Sequence, residues 1–324
     1  MRRFAPLLAL ILVTAACGSG VVAVTTTGDT TTTVVNTTTS QPETTTTTLD
    51  DGFPVTVEDM NGSVTIEARP VSIVSLSATA TEMLFAMGAG DQVVAVDEYS
   101  NYPDEAPTTS LTGFNPSIEA ILTYGPDLVV ASWDPGELVE GMSAFDVPVL
   151  VFPTALSLDD SYAQTETLGA ATGNIDGAAD VVAQIQTDIQ IVVGASPVPE
   201  GLSIFHEADP TLYAASSFSF IGQLYSLLGL ENVADEADPD QFGFPQLSSE
   251  YLVAADPDFI FLADASLGMT PDIIALRPGW DQMSAVKNGA IATLDEDIAS
   301  RWGPRVVDLL RSISDAIAEY LLTS

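Results

Sequence analysis

Arg301 and Arg305 stand four apart around Trp302-Gly303-Pro304, directly after Asp295, Glu296 and Asp297. A guanidinium where a loop leads into a helix suits recognition of an anionic group, because the helix N-terminus adds partial positive charge. The competing use of the same residues is a local salt bridge to one of the three carboxylates. Aromatic side chains on loops complete the set: Tyr99 and Tyr102 after the run Val93 to Val96, Phe114, Trp133 after Ser132, and farther on Phe218, Phe220, Phe244 and Trp302. Any one aromatic residue is more often core than contact surface. Several on loops around one cleft would form a platform for a large, flat or polycyclic ligand.

Catalytic chemistry finds little to work with. His206 is the only histidine and Cys17 the only cysteine, so neither a hydrolytic triad nor a multi-histidine metal site can be assembled, and no disulfide can form within one chain. Carboxylates are so abundant that no pair stands out as a tuned acid and base. Gly88-Ala89-Gly90 closes a helical pattern instead of opening one, which is the wrong side for a phosphate loop. No segment has the spaced carboxylates and central glycine of a dedicated calcium loop. The formal charge of −37 repels phosphate backbones and anionic lipids, which argues against nucleic-acid binding. Beyond Arg2 and Arg3, the cations are Arg69, Arg277, Lys287, Arg301, Arg305 and Arg311.

The elements that must position these residues follow a parallel-sheet pattern. At 324 residues and 46% hydrophobic, the chain can bury two cores of about 100 to 150 residues each. Val55–Val57 and Val64–Ile66 alternate around Asn61-Gly62, which predicts a hairpin. Buried-strand runs at Val71–Leu76, Val93–Val96, Leu128–Ala131 and Val147–Val151 alternate with helical patterns. Thr79 with Glu82 three residues later reads as a capping box, with Gly88 and Gly90 as left-handed closing positions. Asn115-Pro116 reads as the start of the next helix, and Glu137 to Phe145 as a further one. Val182, Ile185, Ile189 and Val192 predict one amphipathic helix over residues 176–194. A second series follows, with strands at Leu202–Phe205, Phe259–Leu262 and Ile291–Leu294, helices at Phe218–Leu228 and after Ser248, and a final helix whose apolar face carries Val306, Leu310, Ile313, Ile317 and Leu321. The expected fold is α/β, two Rossmann-like lobes with mostly parallel sheets and a cleft between them. The folded domain would run over 51–324: lobe one about 53–155, a connecting helical segment about 157–195, and lobe two about 200–324.

The N-terminus is read differently. Arg2-Arg3, the apolar run Phe4–Val13 and Thr14-Ala15-Ala16-Cys17 make a secretory leader over 1–17, too short to span a bilayer. A cysteine at the cleavage point suits lipid attachment, although Thr14 departs from the leucine usual in lipoprotein signals. In residues 18–50 threonine supplies 15 of the 24 positions from Thr25 to Thr48, a composition with too little apolar surface to fold. Such a stalk would reach about 30 Å.

An internal repeat ties the two series together. Glu119-Ala-Ile-Leu-Thr-Tyr-Gly-Pro126-Asp127 and Glu250-Tyr-Leu-Val-Ala-Ala-Asp-Pro257-Asp258 keep the same spacing from glutamate to Pro-Asp. With SATATEMLFAMGAG, DEYSNYP and SRWGPR, the chain from about Pro54 onward resembles the periplasmic binding proteins that deliver ferric siderophores, haem or cobalamin to ABC importers, the cobalamin branch most of all. The resemblance implies a long helix joining the lobes, a ligand-stacking aromatic at Tyr99, a pocket aromatic at Phe244, a polar pocket pair at Asp297 and Arg301, and docking of Glu119 and Glu250 to arginines of the two membrane subunits. It also implies a non-catalytic, monomeric, lipid-anchored receptor with no permanent cofactor, partnered by permease and ATPase subunits, its transported ligand a corrinoid or a ferric chelate. A haem ligand would have only His206 as an axial histidine. A surface hydrolase would need a nucleophile and base that the sequence does not offer. A stalked adhesion module would explain the threonines but not the two lobes.

Overall fold

In the computed structural model, residues 52–199 and 201–323 are described. The leader, Cys17 and the whole Thr-rich segment lie outside them. Among the described residues the first strands form the antiparallel hairpin β1 (Val55–Asp59) and β2 (Gly62–Ile66), whose two-residue turn is Met60-Asn61, one residue earlier than expected, with Gly62 already paired to Asp59. The first lobe is then wound as β3 (Ile73–Leu76), α1 (Ala78–Ala86), β4 (Val93–Asp97), β5 (Thr108–Leu111), α2 (Ile118–Leu122), β6 (Leu128–Ala131), α3 (Leu138–Ser143) and β7 (Val149–Val151). Its five strands are parallel in the order β5-β4-β3-β6-β7. Every residue of β3, β6 and β7 is buried, as parallel strands covered on both faces require.

Two helices follow, α4 (Leu158–Thr172) and α5 (Ile175–Ala195). The second lobe comprises β8 (Ser203–Glu207), α6 (Phe220–Leu227), β9 (Glu231–Asn232), α7 (Ser249–Ala255), β10 (Phe259–Leu262), α8 (Pro271–Ile274), α9 (Ser284–Asn288), β11 (Ile291–Thr293), α10 (Glu296–Ala299) and α11 (Val306–Thr323). Its parallel order is β11-β10-β8-β9. In both lobes the first strand is internal, the second pairs on one side of it, and the strand opened by Pro-Asp, β6 or β10, pairs on the other; lobe one adds β5 beyond β4 before that crossing.

The repeat has a physical cause. Asp127 accepts from the amides of Val71 and Ser72 at 2.9 and 3.0 Å, while its own amide donates to the Ser72 carbonyl. Asp258 does the same in lobe two, accepting from the Ser203 amide at 3.0 Å and hydroxyl at 2.7 Å and donating to the Ser203 carbonyl. Each Pro-Asp clamps the strand it opens to the start of the central strand. The glutamates at the head of the repeat fall in the first turns of α2 and α7, both capped by serines, Ser117 and Ser248.

The helix α5 carries the expected stripe, with Val182, Ile185, Ile189 and Val192 buried. Ala178, at its start, packs into the first lobe's core, whereas Ile185, Ile189 and Val192 belong to the second lobe's. The fit at the first-lobe end is tight, since a Cβ on Gly177 would lie 2.1 Å from the Met87 carbonyl oxygen. Among the described residues no helix is long and apolar enough to cross a membrane.

Local boundaries correct several expectations. The helix α1 starts two residues earlier than the Thr79 to Glu82 spacing suggests: Ser77, directly after β3, is the N-cap and accepts from the Ala80 amide. Thr79 and Glu82 are both buried within it. Gly88 is left-handed at φ 87°, but Gly90 is not and instead begins a short 3₁₀ turn. The cap of α2 is Ser117, so Asn115-Pro116 lies just outside the helix. The strand β5, Thr-Thr-Ser-Leu, goes unread in the sequence because it is a polar edge strand paired irregularly with β4.

Candidate ligand-binding cleft

The loops beyond the carboxyl ends of the central strands meet between the lobes, where open α/β sheets bind ligands. Two adjoining cavities occupy that cleft, one of about 630 Å³ on the second-lobe side and one of about 400 Å³ on the first-lobe side. Both are lined by Tyr99, Asp297, Ser300, Arg301 and Trp302, so the segment 297–302 divides them. Phe114 and Trp133 line the smaller cavity, and Phe244 lines the larger. These aromatic residues are exposed, with Phe114 73% and Trp133 55% accessible, and the Tyr99 and Phe114 rings meet edge to face at 5.7 Å.

The segment 297–302 is held by a buried ionic cluster. Glu82 of α1, 2% exposed, accepts from Arg301 Nη1 at 2.8 Å and from Arg305 Nη2 and Nε at 2.5 and 3.0 Å. Arg301 Nη2 also donates to Asp297 and to the Tyr99 carbonyl, both at 2.9 Å, and Asn101 donates to the other Asp297 oxygen at 2.7 Å. Trp302 donates from its indole to Gln164 of α4 at 2.7 Å, and its carbonyl accepts from Ser161 at 2.5 Å. Of the two uses the sequence leaves open for these guanidinium groups, the ion pair is the one seen, with Glu82 of the other lobe as its main partner and Asp297 as a second. Arg305 is committed to Glu82 and lies 4.3 Å over the Tyr102 ring, and Arg301 spends its bonds on Glu82, Asp297 and a backbone carbonyl.

That stacking also moves Tyr102 away from its expected place. It lies against Arg305 at a separate cavity and lines neither half of the cleft. Phe218 likewise lines neither half; the neighbouring Ser219 caps α6, and Phe220 reaches the larger cavity instead. Sequence reasoning missed Glu82, Phe242 and Asp264. Phe242, 79% exposed at the rim, sits two residues before Phe244 in QFGF, and that neighbour was its signal; Asp264 stands just past the end of β10, and its strand-end position was the signal there.

His206 lies in β8, fully buried, and lines the larger cavity. Its Nδ1 is 2.8 Å from the Tyr225 hydroxyl, the one hydrogen bond of that equally buried phenol among the described residues. Either tautomer leaves one buried proton without an acceptor among the described residues. With Nδ1 protonated it is the phenolic hydrogen of Tyr225, which does not line the cavity; with Tyr225 donating to Nδ1 it is the Nε2 proton of His206, which does. A cavity ligand can satisfy only the second and so favours it. Burial pulls the imidazole down to about 4. Next along the strand, Glu207 is fully buried and bound by both Nη atoms of Arg277 at 2.6 Å. Burial pushes the neighbouring Asp264 up to about 7, with the Glu207 charge adding to the rise and Arg277 opposing it.

These two shifts have opposite signs in folding. The depressed His206 leaves the native state with fewer protons than the unfolded chain, so its contribution is present above about 6.5 and lost as pH falls toward 4. The raised Asp264 leaves the native state with more protons, so its contribution is present below about 3.8 and lost as pH rises toward 7. Between about pH 4 and 6.5 they offset each other. Asp264→Asn removes one side, so its unfolding free energy, followed by urea titration at several pH values, should climb more steeply from pH 4 to 6.5 than that of the wild type. Parallel pH profiles would contradict these assignments.

Comparison with known proteins agrees with this geometry. The family described as periplasmic binding protein matches residues 73–298. The chain is 29% identical over 276 residues to an uncharacterized ABC transporter substrate-binding lipoprotein of Bacillus subtilis, covering 82% of this chain and 86% of that one. It is 31% identical over 251 residues to a vitamin B12-binding protein of Pectobacterium carotovorum, covering 74% and 86%. Among solved structures, a possible iron-binding periplasmic solute-binding protein of Staphylococcus epidermidis superposes with a TM-score of 0.69 at 25% identity, over 77% of this chain and 99% of that one. A matched segment of this extent, with the doubly wound lobes and the shared cleft, places the chain among binding proteins and not among enzymes. It belongs to the periplasmic binding protein family.

Proposed function

We propose that this chain is the substrate-binding lipoprotein of an ABC importer and that its ligand is cobalamin or a related corrinoid. The observation that carries the ligand class is the absence of free positive charge in an aromatic-lined cleft. Among the described residues Arg301 is the one lysine or arginine lining either cavity, and its charge is already paired with Glu82 and Asp297, while Asp97, Asp264 and Glu296 also line the walls. The carboxylates of haem or of an anionic ferric chelate would enter that field unpaired. His206 offers no easy axial bond, because the tautomer with a free Nε2 leaves the Tyr225 hydrogen without an acceptor among the described residues and the ring is fully buried. A macrocycle with broad apolar faces and a neutral hydrogen-bonding periphery suits Tyr99, Phe114, Trp133, Phe244 and Trp302. The vitamin B12-binding relative adds to this reading. A ferric siderophore or haem receptor of the same family is the second reading, favoured by the iron-binding structural relative.

Titration of the purified full-length protein with cyanocobalamin, ferric siderophores and haem should give saturable one-to-one binding to the corrinoid, followed by tryptophan quenching and ligand absorbance. Tyr99→Ala and Phe244→Ala should each weaken it by about 1 kcal/mol or more, as expected for anchors of a binding site. Binding of haem or a siderophore alone would overturn the ligand, and binding of none by a folded protein would overturn the receptor reading.

Anchoring falls on Cys17 after the leader, ahead of the Thr-rich stalk. Cys17→Ala should move the exported protein from the membrane to the soluble fraction. Unchanged membrane association with the leader removed would point to attachment through another protein.

Glu119 and Glu250 are the docking residues in this reading. Both are exposed in the first turns of equivalent helices, so each lobe presents one carboxylate. The helix dipole alone favours an acid there by about 0.3 to 1 kcal/mol, but it does not require the same spacing in both lobes. Glu119→Arg combined with Glu250→Arg should leave ligand affinity within about twofold and abolish uptake by the reconstituted importer. Uptake at the wild-type rate would remove the docking role.

A further inference from the structure

Two buried polar groups of the larger cavity are left without partners. His206 and Asp264 are 0% and 1% exposed, both line the cavity, and they stand near the carboxyl ends of the paired strands β8 and β10. His206 Nε2 and both Asp264 carboxyl oxygens are the buried side-chain atoms that lack any hydrogen-bond partner among the described residues. Buried polar groups are nearly always paired, so unpaired ones at a ligand cavity mark where a ligand's own polar atoms complete the bonding. Within the cluster Nδ1 of His206 is held by Tyr225 and each Glu207 oxygen by Arg277; a protonated Asp264 can share its hydrogen with Glu207, which leaves its other oxygen to accept from a ligand.

We propose that His206 and Asp264 form a two-point receptor for a primary carboxamide on the ligand, the imidazole Nε2–H donating to the amide oxygen and the Asp264 carboxyl accepting from the amide NH₂. The proposal rests on the corrinoid reading of the cleft, since corrinoids carry such amides around the ring. A carboxylate at this point would meet Asp264 with Glu207 behind it, and an ammonium would meet the Nε2–H; a neutral group with one acceptor and one donor satisfies both. The buried imidazole stays neutral above about pH 4, and Asp264 keeps an accepting oxygen whether or not it holds the proton that burial favours up to about pH 7. Phe242 and Phe244, exposed at the rim, supply the apolar surroundings in which one amide-to-acid change is felt most strongly.

The test compares cyanocobalamin with its monocarboxylic acids, in which one peripheral amide is replaced by an acid, by calorimetric titration of the full-length protein. At least one acid isomer should bind the wild type about tenfold or more weakly than the parent. Asp264→Asn, and His206→Phe combined with Tyr225→Phe so that no phenol is orphaned, should bind the parent several-fold more weakly and bring the amide-to-acid ratio toward one. Acid isomers that all bind the wild type like the parent would overturn the proposal, and so would an unchanged ratio in a folded variant. The wild-type comparison decides the matter even if a variant fails to fold. Absence of any corrinoid binding would remove this proposal together with the corrinoid assignment, whereas corrinoid binding with a ratio near one would remove this proposal alone.

Discussion

A carboxylate buried between two guanidinium groups from the other lobe sets the geometry of this receptor. Stripping water from Glu82 is costly, and the cost is offset only because Arg301 and Arg305 supply three direct bonds. Satisfying Glu82 fixes where the segment 297–302 can lie, and that segment divides the cleft. The same cluster pairs two of the chain's few cations with carboxylates. The walls of the cleft are left with aromatic surfaces, unpaired hydrogen-bonding atoms and more carboxylates than cations.

Much of the scaffold was legible because it is written in local patterns. Leu128–Ala131 and Phe259–Leu262 are apolar runs that only a strand covered on both faces would use, and both occur as read. The stripe of Val182, Ile185, Ile189 and Val192 was equally plain. The Pro-Asp repeat was visible as spacing, although its cause, a carboxylate clamping the neighbouring strand's amides, involves partners some 55 residues away. The polar strand β5 carries no such pattern.

The site was less legible, for a related reason. Thr79 and Glu82 have the spacing of a capping box, yet Glu82 answers to an arginine 219 residues later, and no local rule distinguishes the two uses. Tyr99, Phe114, Trp133 and Phe244 were found because loops at strand ends converge whatever their sequence. Tyr102 and Phe218, which share that description, point elsewhere because one stacks on Arg305 and the other precedes a serine cap. His206 and Asp264 show opposite shifts from one cause, burial, and only the three-dimensional surroundings reveal it.

The division of α5 between two cores bears on how such a receptor can release its ligand. A helix whose first turn is fastened to one lobe and whose later turns are embedded in the other acts as a splint across the joint. Swinging the lobes wide apart would have to pull one set of apolar side chains into water or break the helix, and the contact of Gly177 with the Met87 backbone leaves little slack at the first-lobe end. Motion that respects the splint is a small rocking of the lobes. A receptor of this build holds its cargo in a nearly rigid jaw, and whatever prises that jaw open must bring its own leverage to both lobes at once.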